Sequence, residues 1–93
     1  MAAPVASAAS PTYSCKKVNA RDTGRVRVFD LVAEDCKASG GAPTEKTSSV
    51  ENGRIRRVNG GRKYKCELVR VNYQNANVIE GYDCEAYVEK SPN

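Results

Sequence analysis

The sequence predicts an α+β domain in which one helix packs on a small antiparallel sheet and two disulfides staple the layers. Three observations carry that expectation. Apolar residues Val28, Phe29, Val32, Ala33 and Cys36 recur at helical spacing. Asn59-Gly60-Gly61 separates two segments of strand character, the signature of a hairpin. Four cysteines, Cys15, Cys36, Cys66 and Cys84, are spread through a chain of 93 residues, and an even count in so short a chain reads as a disulfide framework.

Residues 1–11 are small and weakly apolar and read as a disordered tail, the remnant of a secretory leader or pro-segment behind the starting methionine. A single domain follows over residues 12–90. Its first strand begins at Thr12 and ends near Asn19. Asp22 and Thr23 then cap the predicted helix, whose outer face carries Asp30, Glu34 and Lys37, and Ser39-Gly40-Gly41 stops it.

Residues 40–53 are polar and rich in turn formers and read as an exposed loop. Arg54–Val58 is an edge strand, and Arg62–Tyr73 is the central strand. In the latter, Tyr64, Cys66 and Leu68 share one phase and Val69, Val71 and Tyr73 the other, so it is buried on both faces or carries a bulge near Leu68. Gln74–Asn77 turns the chain into a last strand, Val78–Val88, which places Val78, Tyr82, Cys84, Ala86 and Val88 on one side and Ile79, Asp83, Glu85 and Tyr87 on the other. No internal repeat is legible.

With one Phe, no Trp and five Tyr, burial alone supplies about 3–5 kcal/mol, so the fold needs staples. Three disulfide connectivities are formally open. Cys15–Cys84 with Cys36–Cys66 is preferred: the second bond ties helix to sheet, and the first closes a loop of about 70 residues, worth up to about 4 kcal/mol. A four-thiolate zinc site is disfavoured, because the cysteines form no close pairs and the chain has no His. Two disulfides imply an oxidising compartment and secretion. No stretch reaches the ~20 apolar residues of a membrane-spanning helix.

The net charge is +4 and uneven. Between Arg54 and Arg70 stand seven basic residues against one acid, Glu67, whereas Glu80, Asp83, Glu85 and Glu89 crowd the C-terminal part. Arg54, Arg56, Arg57, Arg62, Lys63 and Lys65 are therefore the candidate binding residues, a basic surface suited to phosphate or acidic protein. Tyr64 is positioned between two lysines for base stacking, but its phase with Cys66 places it in the core.

The absence of His removes the usual proton carrier of nucleophile–His triads, zinc hydrolases and His-based ribonucleases. The carboxylates form no pattern, and no phosphate-binding glycine loop precedes the helix. No catalytic residue, metal ligand or cofactor is assigned, and an enzyme built on Lys and carboxylates is the least favoured reading.

Tyr13-Ser14-Cys15 near the start, a cysteine in the predicted helix, Cys66-Glu67-Leu68-Val69-Arg70 and a late Cys84 together resemble the ribonuclease-like secreted effectors of plant-pathogenic fungi, built on the scaffold of the guanyl-specific fungal ribonucleases. The resemblance spans residues 13–84 and implies the same disulfide pairing, helix cysteine to central strand and first cysteine to last. It departs where the active family places a catalytic His, since this chain has Tyr73-Gln74, and the Cys36–Cys66 segment is too short for the remaining catalytic strands. It therefore implies a catalytically inactive relative, a secreted protein that enters or contacts a plant host. Such a protein would be monomeric, would bind a host protein or RNA, and would be open to recognition by an immune receptor. The alternative is a secreted inhibitory or toxin-like miniprotein that uses the 40–53 loop, with Lys46 or Arg54 as anchors. The Ser, Thr and Gly content of that loop raises its ordering cost on binding.

Overall fold

The computed structural model describes residues 10–88, and the described residues form an all-β barrel with no helix. Five strands, β1 (Thr12–Asp22), β2 (Phe29–Ser39), β3 (Ser49–Arg57), β4 (Lys63–Val71) and β5 (Val78–Tyr87), close in the order β1-β2-β5-β4-β3. All neighbours are antiparallel except β1 and β3. These run parallel through Thr12–Arg54 to Cys15–Arg57 and shut the barrel. Nearly all of the expected tail lies outside the described residues, as do the last two positions of the expected domain.

The predicted helix is strand β2, and the reason lies in a phase change. The residues of β2 turned to the interior are Phe29, Leu31, Ala33, Cys36 and Ala38. Asp35 has a positive φ of 54° and inserts one residue between two inward positions. The step of three from Ala33 to Cys36, with apolar Val28 and Val32 outside the inward set, imitates a helical stripe. The β-branched and aromatic content of Val26, Val28, Phe29 and Val32 was the signal on the other side.

The same phase change crosses the sheet. Asn52, Glu67 and Asp83 stand in one transverse row of β3, β4 and β5, between the paired rows Glu51–Leu68–Tyr82 and Gly53–Cys66–Cys84. Asn52 and Asp83 have φ of 56° and 53°. Because all three strands shift in the same row, the pairing register survives, and the bulge expected near Leu68 is one part of a crease through the barrel wall. It also splits the expected alternation of β5: Ile79 and Gly81 face inward before the crease, Cys84 after it.

Both disulfides lie within hairpins, Cys15–Cys36 joining β1 to β2 and Cys66–Cys84 joining β4 to β5. The preferred pairing is thereby corrected. With no helix layer to tie down, each cysteine bonds to the residue directly opposite it on the neighbouring strand.

The two hairpins are repeats of one pattern. Tyr13, Cys15 and Val18 of β1 match Tyr64, Cys66 and Val69 of β4, and Asp35, Cys36 and Ala38 of β2 match Asp83, Cys84 and Ala86 of β5. Their registers coincide. Tyr13–Ala38, Cys15–Cys36, Val18–Ala33 and Ala20–Leu31 become Tyr64–Ala86, Cys66–Cys84, Val69–Gly81 and Val71–Ile79. The β2–β5 seam exchanges Leu31–Gly81 with Ala33–Ile79 and keeps Val32–Glu80 on the axis, as a two-fold interface does. The repeat is hidden in the sequence because its matched residues are interleaved with unlike ones and the two hairpin turns differ in length.

The core is built almost entirely from these matched residues, with Ile55 added by β3. Tyr13 is buried and donates its hydroxyl to the Pro43 carbonyl at 2.6 Å, which pins the 40–48 loop to the barrel. That loop ends at Ser49, where β3 starts, so the expected 40–53 loop is shorter and its last residues are strand. Arg54–Val58, read as an edge, is flanked by β1 and β4; Arg54 N–H donates to Pro11 and Val58 N–H to Cys15.

Candidate anion-binding face

Alternation along β3 and β4 turns Ile55 and Tyr64 inward and therefore turns Arg54, Arg56, Lys63 and Lys65 outward. Pairing sets these four in two adjacent rows. One reads Thr12, Arg54, Lys65, Glu85 across β1, β3, β4 and β5; the next reads Ser14, Arg56, Lys63, Tyr87. Arg54 thus stands directly opposite Lys65, and Arg56 opposite Lys63. Like charges directly opposed in an antiparallel pair are destabilising.

Neighbouring groups hold this basic ladder in place. Arg56 Nε donates to the Ser14 hydroxyl at 2.9 Å. The Arg54 guanidinium and the Lys65 ammonium each lie 5.3 Å from the centre of the Tyr87 ring, within range of a cation–π attraction. Tyr64, weighed above as a stacking residue, is 7% exposed and belongs to the core, where its ring meets Phe29 edge-on. The aromatic on the basic face is Tyr87, which the expected alternation of β5 grouped with Ile79, Asp83 and Glu85 and did not place among the cations.

Arg57 and Arg62 belong to a second group. Arg57 borders one cleft with Lys16 and Lys17, and another with Arg62 and Tyr64. Strand β1 thus adds two lysines that sequence reasoning did not select, because only the parallel β1–β3 pairing brings residues 16–17 near residue 57. All six predicted binding residues lie on β3, β4 or their connecting turn. Lys46, the second anchor of the inhibitory reading, sits in the separate 40–48 loop.

A groove of about 340 Å³ follows the crease beside the ladder, bounded by Asn52, Glu67, Asp83, Arg25, Arg54 and Lys65. Here charges are balanced: Arg25 pairs with Asp83 at 2.8 Å, and the Asp83 N–H donates to Asp30. A second groove of about 520 Å³ lies between Gly60–Lys63 and Ala86–Val88 and borders Tyr87. Among the described residues no cluster of three or more potential metal ligands occurs.

Comparison with protein-family models, with curated proteins and with solved structures gives no match. The functional reading therefore rests on this chain's own residues. The two disulfides fit an extracellular or secreted protein.

Proposed function

We propose that the protein is a secreted, non-catalytic binding module of the fungal-effector kind, which engages an anionic partner in a plant host through the Arg54–Arg56–Lys63–Lys65 face. The observation that carries this reading is the pair of successive like-charge oppositions, Arg54–Lys65 and Arg56–Lys63. Elsewhere the same barrel sets opposite charges across its strands, as in Lys17–Glu34, Arg21–Asp30 and Arg70–Glu80, and within the ladder only Lys65 has an acid, Glu85, opposite it on its other side. A face selected for stability alone would follow that pattern. Concentrating cations instead raises the local potential and draws in polyanions.

The test is fluorescence anisotropy of the oxidised protein with labelled polyanions, RNA among them, at low and physiological salt, with a gel assay for cleavage. The expected result is salt-sensitive binding without cleavage, weakened when Arg56 and Lys63 are both changed to Glu. Binding that ignores these substitutions would remove the basic face from the function, and cleavage would overturn the non-catalytic reading.

A further inference from the structure

The repeat distinguishes what the hairpin framework requires from what has been added to one copy. At Tyr87 and Lys65 of the second hairpin, the first hairpin has Ser39 and Ser14. The inward residues match, so a hairpin of this design folds with serine at both places. Tyr87 and Lys65 are additions to the outer face of one half.

The added tyrosine has a particular setting. Arg54 and Lys65 each lie 5.3 Å from its ring centre, and neither borders the groove between Gly60–Lys63 and Ala86–Val88. Tyr87 does border it, with Arg62 and Lys63 on the same rim. At about 520 Å³ the groove lies within the size range of small-ligand pockets. Its wall offers an aromatic surface flanked by cations, beside a ladder of further cations. An acidic peptide would need the cations but not the ring. A polymer of alternating phosphates and flat rings uses both, provided that its bases are unstacked and free to enter.

We infer that the groove at Tyr87 accepts a base of a single-stranded polynucleotide, while Arg62, Lys63 and the Arg54–Arg56–Lys65 ladder hold the flanking phosphates. This inference rests on the anion-binding reading above and deepens it. The chain has no Trp, so Tyr87→Trp installs a unique fluorophore that preserves stacking.

Labelled oligo(U) and oligo(dT) are titrated against the wild type, Tyr87→Leu and Tyr87→Trp, with inorganic polyphosphate and polyglutamate as ring-free polyanions. Tyr87→Leu is expected to weaken both oligonucleotides by about tenfold, the loss of one stacked base, and to weaken polyphosphate by a much smaller factor, through the lost ring contacts of Arg54 and Lys65 alone. In Tyr87→Trp the indole emission should be quenched by oligonucleotide and not by polyphosphate. Tighter binding of oligo(U) than of oligo(dT) identifies RNA as the source, and equal binding identifies single strands of either kind. Undiminished oligonucleotide binding by Tyr87→Leu together with an unquenched tryptophan would overturn the base slot while leaving the anionic face intact. Polyglutamate binding as tight as oligonucleotide binding would do the same. Failure of oligonucleotides and polyphosphate alike to bind would remove both readings. Should Tyr87→Leu fail to fold, quenching in Tyr87→Trp decides.

Discussion

A methyl group added to Gly81 would lie 2.8 Å from the Sγ of Cys84, and equally close to the Sγ of Cys66. Gly81 is needed there because the second disulfide and the Ile55 side chain fill the space a side chain would take, not because its backbone conformation demands glycine. Its counterpart beside the first disulfide is Ala33.

Gly81→Ala should therefore destabilise the barrel by about 1–3 kcal/mol, the usual cost of overpacking a filled core. Urea denaturation measures it. A variant as stable as the wild type would show that the two halves are packed with equal slack.

Peptide mapping of the non-reduced protein should recover Cys15 linked to Cys36 and Cys66 linked to Cys84, and a Cys15–Cys84 peptide would contradict the hairpin pairing. Replacing Cys66 and Cys84 together by Ala should cost about 3 kcal/mol on the chain-entropy model, given the short loop they close.

Arg56→Glu places an acid opposite Lys63 at the cost of the hydrogen bond to Ser14. Removing a like-charge opposition and creating an attractive one should leave the melting temperature unchanged or raise it, by an amount that corresponds to at most about 1 kcal/mol. Polyanion binding should fall in the same variant. A clear loss of stability would show that the ladder is part of what holds the barrel together, and would remove the main support for a binding role.

Acid should act on the Arg70–Glu80–Tyr82 cluster. Burial pushes the Glu80 carboxyl up, but hydrogen bonds from Arg70, Asn72 and Tyr82, with the Arg70 charge, outweigh it and hold the group below its ordinary range. A depressed folded-state value means stability that is present above the unfolded carboxyl's pKa and is lost as pH falls through the folded one. The melting temperatures of wild type and Glu80→Gln should therefore differ near neutral pH and converge in acid. The difference should be small and salt-sensitive, because the Arg70 side chain is 47% exposed. A gap that widens in acid would contradict the sign of the shift.

Much of the hairpin order was legible. The Asn59-Gly60-Gly61 turn, the strands around it and the 74–77 turn follow from local chemistry: the Asn72 side chain accepts from the N–H groups of Gln74 and Asn75, and the Asn75 side chain accepts from Asn77. The candidate cations were legible as a charge run, since alternation alone tells which of Arg54, Ile55 and Arg56 face out. Strand β2 was misread because it carries apolar residues on both faces, Val32 outside next to Ala33 inside, and because the crease at Asp35 then adds a step of three before Cys36. Tyr87, Lys16 and Lys17 were missed as site residues for a different reason, namely that their neighbours come from strands distant in sequence.

The sequence by itself determined a small disulfide-bonded domain, a basic central segment and the local turns, because composition, charge and turn chemistry act over a few residues. Tertiary structure decided that β1 and β3 close a barrel, that each cysteine bonds within its own hairpin, that the hairpins repeat about a two-fold axis, and that Tyr87 stands among the cations. Each of these depends on pairing between distant strands. Such register is set by which inward side chains fill a shared core, and no window of neighbouring residues contains that information.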